Sequence, residues 1–261
     1  MAPYDFKAPD ADTILCSSDG KEFRVHRLIL SLASPVFQGM FSLPQSTNPP
    51  SQIPSVDVAE SSDVLQPFIQ YLYPQSPPKI SDLPMWAGLY TIADKYNAEV
   101  VMDLLRDMLI PRFLMESPLR VYALASHWGF EEEAKIASRG TLTMDISEGF
   151  PEEDARLMGG VACQKLYLLH IQRRDKAQTL VSKRPYPFLS RCSCPPTNFP
   201  AVIQALGQRL AKRPWLTAEE LYEEAAKPDP EPCRDCRNAF VNMHAWFSLI
   251  LKDVSELPQT I

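Results

Sequence analysis

The sequence predicts an α+β fold in which a small sheet wrapped by helices is followed by a region of helices alone. Two observations predict this class. Residues 12–41 begin with alternating apolar and polar positions around a turn and continue with an apolar repeat of about three and a half residues. Beyond residue 117 only the helical repeat persists. The first pattern is typical of a hairpin followed by helices, and the second of a helical extension.

The hairpin is predicted from its apolar runs and its turn. Residues 14–16 are apolar, and residues 18–20, Ser-Asp-Gly, supply turn chemistry. Phe23 and Val25 then alternate with polar residues, as in a strand that buries one face. These features predict two paired antiparallel strands at the start of the domain.

Two short helices are predicted behind the hairpin. Leu28 and Leu32 begin a helical repeat, which is interrupted at Ser34 and Pro35. Serine is a good N-cap, and proline suits the first helical position, where a missing N–H costs nothing. The second helix is therefore predicted to begin at this pair.

The rest of the predicted first domain is one strand and three helices. The strand lies around Asp57, and the first helix begins at the capping sequence of residues 61–63. The second helix begins at Asp82. The third carries apolar residues over 100–108 and is predicted to end before Pro111, because proline disfavours helical backbone in the residue before it.

Helices alone are predicted beyond residue 117. The first ends at Gly129, a typical residue after a helix, and the second covers residues 130–139 and ends at Gly140. One long helix follows, over residues 151–182. Its predicted apolar positions are Leu157, Val161, Leu168 and Ile171.

The order of residues in 12–41 resembles the BTB (or POZ) domain, and it is most similar to BTB proteins of fungi. In that family an Asp opening the first strand is followed by Phe-x-x-His-Arg, a Leu-rich helix and Ser-x-x-Phe-x-x-Met-Phe. The matching positions are Asp12, Phe23, His26, Arg27, Leu28, Leu30, Leu32, Ser34, Phe37, Met40 and Phe41. The resemblance implies a BTB/POZ domain at residues 1–114 and a helical extension at 115–182. The residues themselves predict the last region, 183–261, as a helical C-terminal region with two Cys pairs.

The resemblance also implies a role in protein binding. BTB domains form homodimers through the first helix and the N-terminal strand, and they present a face to partners such as the cullin scaffold of ubiquitin ligases. Asp12 and Arg27 match the paired charges near the dimer groove, and Phe37, Met40 and Phe41 match the core and the cullin-facing helix. Cullin-binding members usually carry a hydrophobic-x-Glu element after this helix, whereas residues 42–55 contain no glutamate.

Three functions remain open at this point. The first is a dimeric adaptor that recruits an unknown client, with a cullin-type ubiquitin ligase as a further partner. The second is a BTB oligomerisation module of a regulatory or transcriptional complex. The third is a zinc-stabilised binding protein.

The zinc alternative depends on two close pairs of cysteines. Four thiolates in two clips suit tetrahedral zinc, because each pair needs only a local turn and the metal joins two distant segments. The alternatives are four reduced, half-buried thiols or one disulfide formed on oxidation. The four residues are Cys192, Cys194, Cys233 and Cys236. No other cofactor is predicted.

Catalysis is not predicted. Cys163 and His170 are the only pair that suggests a nucleophile and a base, but seven residues along one helix place them about 10 Å apart. No Gly-rich phosphate loop, nucleophile elbow or metalloprotease helix occurs in the sequence.

Composition and charge also predict the cellular location and exclude some classes of partner. The net charge of −6 provides no electrostatic footprint for nucleic acid. No segment approaches the roughly 18 apolar residues of a membrane span, and the first residues lack the features of a signal peptide. We therefore expect an intracellular protein, in the cytoplasm or nucleus, that binds neither membranes nor nucleic acid.

Overall fold

The structure is a computed structural model that describes residues 6, 9–43, 53–183, 199–225 and 246–261. The chain divides into two units. Unit 1 is Met1–Phe113 and unit 2 is Leu114–Ile261. None of the helices in the described ranges combines the length and the apolar character needed to cross a lipid bilayer.

A three-stranded sheet forms the centre of unit 1. Strands β1 (Thr13–Cys16) and β2 (Glu22–Val25) pair as an antiparallel hairpin, which confirms the prediction. Strand β3 (Ser55–Asp57) pairs in parallel with β1, so that the strand order is β2-β1-β3. The sheet buries one face, because Phe23 and Val25 are buried while their polar neighbours are exposed.

The described part of unit 1 also contains five helices. Ser34 caps the second of them, since its Oγ accepts a hydrogen bond from the Phe37 N–H at 3.1 Å. The break predicted at Ser34 and Pro35 is confirmed. The helices are α1 (Arg27–Ala33), α2 (Pro35–Ser42), α3 (Ser62–Leu72), α4 (Leu83–Lys95) and α5 (Glu99–Phe113).

The N-terminus of α3 is capped from the hairpin turn. Ser61 occupies the N-cap position without a side-chain hydrogen bond. Instead, the Ser62 N–H and Oγ–H donate to the two carboxylate oxygens of Asp19 at 2.9 and 2.6 Å. Hydrogen bonds from the hydroxyls of Ser17 and Ser62 lower the pKa of Asp19 to about 2. The turn and the helix are thereby joined across 43 residues of sequence.

The prediction that α5 ends before Pro111 is wrong. The helix continues through Pro111 to Phe113. Proline removes one backbone donor, but Leu109 and Phe113 are buried on either side of it, and their packing holds the last turn. Packing therefore overrides the local preference.

An aromatic stack forms much of the core of unit 1. The ring of Phe37 stacks on Phe41 with centroids 5.9 Å apart and on Tyr96 at 4.5 Å. Tyr96 stacks in turn on Phe68 at 5.7 Å. The stack joins α2 to α3 and to the residue that ends α4.

In unit 2 the described residues form helices, as the sequence predicts. Gly129 follows the first of them with a φ of 73°, in the left-handed region where glycine is favoured. The helices are α6 (Pro118–His127), α7 (Glu131–Thr141), α8 (Glu152–Lys183), α9 (Phe199–Lys212) and α10 (Ala218–Ala225), and residues 246–255 are also helical.

Two details of these helices differ from the prediction. Helix α7 does not end at Gly140 but continues to Thr141. A Cβ at residue 140 would lie 2.9 Å from the Cβ of Pro118, so glycine here permits close packing of α6 and α7. Helix α8 is interrupted at Gly159, whose φ of 74° and ψ of 168° are not helical.

The apolar face predicted for α8 is therefore partly wrong. Val161 is 71% exposed and Leu168 is 43% exposed. The break at Gly159 ends the uninterrupted repeat on which the prediction depended. Beyond the break, the side chains that α8 buries are Leu166, Leu169, His170, Arg173, Ala177 and Val181.

A second apolar cluster joins the end of α8 to the later helices. Helix α10 begins with a capping box, in which the Thr217 N–H donates to Glu220 Oε2 at 2.9 Å and the Glu220 N–H donates to Thr217 Oγ1 at 3.2 Å. The buried residues of the cluster are Ala177, Val181, Val202, Leu206, Leu210, Leu216, Leu221, Trp246, Phe247, Ile250 and Val254.

Candidate functional site

Apolar side chains lie exposed on α1 and α2. Leu28 and Leu32 are 70% and 80% exposed, whereas Leu30 on the same helix is fully buried. Residues four apart on a helix share a face, so these two leucines lie together on the outside of α1. Val36 and Leu43 are also exposed, at the start of α2 and immediately after its end. We call these four residues the α1–α2 surface.

Charged groups lie next to this surface. The Asp12 carboxylate accepts a hydrogen bond from the backbone N–H of Arg27 at 2.8 Å. The Arg27 guanidinium donates from Nε to Thr13 Oγ1 at 2.7 Å and lies over the ring of Phe41, 5.4 Å from its centroid. Within one chain, this contact between Asp12 and Arg27 is therefore made by the Asp12 carboxylate and the backbone of Arg27. The Nη2 atom of Arg27 is buried without a hydrogen-bond partner.

The aromatic stack holds α2 beneath this surface. Phe37 is fully buried and belongs to the core, whereas Met40 and Phe41 are half-buried. Since Arg27 covers Phe41 and Phe41 stacks on Phe37, the contacts run without a break from the surface to the interior. The position of α2 is therefore fixed by core packing.

His26 joins β2 and α1 to the end of α3. Its backbone N–H donates to Tyr73 Oη at 2.9 Å, and its Nδ1 lies 3.1 Å from the same oxygen. Its Nε2 lies 3.5 Å from the Asp10 carboxylate. The motif histidine thus positions the start of α1.

The pair considered for catalysis lies in unit 2. His170 is 4% exposed, and its Nε2 lies 2.9 Å from Thr141 Oγ1. Burial and the nearby charge of Arg173 lower its pKa to about 4. Burial raises the pKa of the Cys163 thiol, which disfavours the reactive thiolate at neutral pH. These environments suit packing better than nucleophilic chemistry.

Metal ligands were predicted only at the four paired cysteines, all of which lie outside the described residues. Within the described ranges, His, Cys, Asp and Glu side chains do not form a group that could hold a metal ion. The zinc site stays a prediction.

Residues 7–112 match the family model of the BTB/POZ domain. The chain therefore carries a BTB/POZ domain, as its motif residues indicate. Domains of this family are in general non-enzymatic interaction modules.

Two mouse proteins are similar to this region. TD and POZ domain-containing protein 5 of Mus musculus is 30% identical over 108 residues, which are 41% of this chain and 31% of the relative. TD and POZ domain-containing protein 3 of the same species is 28% identical over 108 residues, 41% of this chain and 28% of the relative. The chain thus spans about a third of the length of these relatives.

A solved structure is also similar to this chain. The BTB domain of zebrafish PATZ1 has 18% sequence identity and a TM-score of 0.30, over 38% of this chain and 74% of that domain.

The sequence did not predict the exposure of four apolar residues. Val36 and Leu43 border α2, and Val100 and Leu104 are 72% and 47% exposed on α5. In α5 apolar residues occur in adjacent pairs, and only one of each pair, Val101 and Leu105, is buried. Adjacent apolar residues on a helix point in different directions, so they cannot all face the core. Such pairs are the sequence signal that one residue of each pair is exposed.

Proposed function

We propose that the chain is a homodimeric adaptor without catalytic activity, in which unit 1 forms the dimer and unit 2 recruits a partner. The α1–α2 surface carries this proposal. Leu28 and Leu32 are 70% and 80% exposed on one face of α1. Burial of a leucine side chain stabilises a protein or a complex by about 1.5–3 kcal/mol. A single chain does not gain this stabilisation from Leu28 and Leu32, because both are exposed.

The charges beside the surface suit pairing with a second copy. In a two-fold symmetric contact, a residue of one copy meets its complement on the other in both directions. Asp12 and Arg27 are adjacent and of opposite charge, so such a contact can match each with the other. A partly buried ion pair of this kind would fix the orientation of the dimer more than it adds stability.

Light scattering at micromolar concentration tests the dimer. We expect the mass of two 29.5 kDa chains for the unmodified protein and of one for a Leu28→Glu/Leu32→Glu variant. The matched control is Val100→Glu/Leu104→Glu, which places two charges on exposed positions of α5 and should leave the mass unchanged. A monomeric unmodified chain would contradict the proposal.

A cullin scaffold is the partner that the family resemblance suggests first. The absence of glutamate from residues 42–55 argues against it and favours an oligomerisation module of a regulatory or transcriptional complex. Co-purification separates these functions. A cullin recovered in stoichiometric amount supports the ubiquitin-ligase adaptor, and a dimer recovered without a cullin supports the oligomerisation module.

The zinc-stabilised form of the protein is a separate proposal. Metal analysis of the purified chain should find one zinc ion that is lost in a Cys233→Ser variant. Absence of stoichiometric zinc would end this proposal and leave dimerisation untouched. We also propose that the protein acts inside the cell, in the cytoplasm or nucleus, which imaging of a tagged chain would test.

A further inference from the structure

A groove lies between α6, α7 and α8 in unit 2. Its volume is about 360 Å³. The groove is open to solvent at the side of α8, where Val161 is 71% exposed and Lys165 is also exposed. Its lining is mainly apolar and includes Tyr122, Ala125, Phe130, Ala134, Met158 and Val161.

A segment of the same chain reaches this groove. Residues 257–261, which we call the strap, follow the helical residues 246–255 and form neither helix nor strand. Leu257, Gln259 and Ile261 are half-buried, whereas Pro258 and Thr260 are exposed. Alternation with a period of two is typical of an extended segment lying on a surface.

The base of the strap is held firmly. The Arg173 guanidinium, 1% exposed, donates from Nη1 to the carbonyl oxygens of Leu257 and Pro258, both at 2.9 Å. Its Nη2 donates to the Val254 carbonyl at 2.7 Å, and the Leu257 side chain packs on the second apolar cluster. The strap therefore starts from a fixed point.

The tip of the strap is held by much less. Ile261 lines the groove, and its backbone N–H donates to Ser138 Oγ at 3.3 Å. Ser138 is fully buried on α7 and donates its own hydroxyl to the Lys135 carbonyl at 2.7 Å. One hydrogen bond contributes about 1 kcal/mol, so the tip can exchange while the base stays in place.

We propose that this groove binds a short extended peptide with a branched aliphatic residue, and that the strap is its intramolecular ligand. The strap closes the site with Ile261, and a partner peptide of the same chemistry binds by displacing it. The inference rests on the proposed recruitment of partners by unit 2 and names the surface that recruits them. It does not depend on the dimer, which the α1–α2 variants test separately.

The experiment compares the full chain with a chain truncated after Leu257. The probe is a fluorescent peptide of residues 255–261, Ser-Glu-Leu-Pro-Gln-Thr-Ile, and binding is measured by anisotropy. A short tether gives its ligand an effective concentration of about 1 mM. A peptide that binds the open groove with a dissociation constant of about 0.1 mM should therefore bind the truncated chain about tenfold more tightly than the full chain. A peptide with Ile261→Asp should bind at least about tenfold more weakly, because it places a charge in an apolar groove.

Two variants of the truncated chain locate the site. Val161→Glu changes an exposed residue that lines the groove, and Leu168→Glu changes an exposed residue of the same helix that does not. We expect the first to weaken binding at least about tenfold and the second to change it less than about twofold. If the truncated chain loses helical circular dichroism, the full-length Ile261→Asp chain replaces it as the open form.

Three binding results would overturn the proposal. They are no saturable binding to the open form up to about 1 mM peptide, equal affinity for the open form and the full chain, or equal effects of the two glutamate variants. A fall in mass on truncation would assign the strap to the groove of a second copy and would overturn the intramolecular contact. The three binding results do not depend on whether Leu28 and Leu32 form the dimer.

Discussion

The two units bury different kinds of polar side chain. Among the described residues of unit 1, the buried polar residues are uncharged hydroxyl residues, for example Ser34 and Ser62. In unit 2 the buried set includes Asp154, His170 and Arg173 as well. Among the described residues, every buried Asp, His or Arg side chain lies in unit 2.

What distinguishes the units is therefore the burial of ionisable side chains. Unit 1 packs rings on rings, and apolar contact depends little on pH or on exact hydrogen-bond geometry. Unit 2 surrounds one guanidinium with four backbone carbonyls, including that of Pro214 at 2.7 Å, and places Trp215 against it at 5.0 Å. A buried charge is tolerated only where hydrogen bonds satisfy it, so unit 2 should be sensitive to small changes at this position.

The largest expected effect lies in unit 1. Trp86→Ala removes a fully buried ring and the hydrogen bond from its Nε1 to the Leu105 carbonyl at 2.7 Å. We expect unit 1 to lose about 3–5 kcal/mol of its free energy of unfolding. Hydrogen exchange followed by mass spectrometry measures each unit separately. The control Val100→Ala, at a 72% exposed position, should cost less than about 0.5 kcal/mol.

If Trp86→Ala accelerated exchange equally in both units, the contrast drawn between them would fail, since they would then unfold as one cooperative structure.

The next effect lies in unit 2. Arg173→Met leaves the four carbonyl groups without their donor, and we expect a loss of about 3 kcal/mol in the free energy of unfolding of unit 2. Faster hydrogen exchange at residues 246–261, with unit 1 unchanged, is the measurement. Arg174→Met is the matched control, because Arg174 is 38% exposed and pairs with its neighbour Asp175. Equal effects of the two variants would show that the buried guanidinium does not organise unit 2.

Acid should distinguish the units without any substitution. The pKa of His170 is about 4 in the folded chain against an ordinary 6.5, so the unfolded chain binds its proton more readily. The free energy of unfolding of unit 2 is therefore highest above pH 6.5 and falls as the pH is lowered toward 4. Between pH 7 and pH 5 we expect a loss of about 2 kcal/mol.

The pH dependence should disappear in a His170→Asn variant and persist in His127→Asn, which replaces an exposed histidine of the same unit. Urea unfolding at the two pH values, read by hydrogen exchange in each unit, gives the comparison. An unchanged pH dependence in His170→Asn would assign the acid sensitivity to other groups.

The smallest expected effect concerns the Ser34 hydroxyl at the start of α2 in unit 1. Ser34 Oγ accepts from the Phe37 N–H and donates to the Tyr96 carbonyl at 2.5 Å, so one hydroxyl joins the cap of α2 to the end of α4. Ser34→Ala should cost about 1 kcal/mol, a typical value for a lost helix cap. Thermal unfolding measures it, with the exposed Ser42→Ala as control. A loss equal to that of Trp86→Ala would mean that unit 1 also depends on polar geometry.

Much of unit 1 was predictable from neighbouring residues. The turn at residues 18–20, the alternation at Phe23 and Val25 and the Ser34-Pro35 pair each act over a few residues, and each predicted its element correctly. The motif of residues 12–41 also predicted the family of this domain. Exposure was harder to predict, because adjacent apolar residues such as Val100 and Val101 differ only in which side of α5 they occupy.

Local signals of turn, cap and periodicity specify the hairpin, the two helices behind it and the helical character of unit 2. Tertiary contacts carry α5 through Pro111, place Asp19 at the start of α3 and gather four carbonyls around Arg173 at the base of the strap. These features join residues up to 85 positions apart. Their stability comes from packing and burial, which a local pattern of residues does not encode.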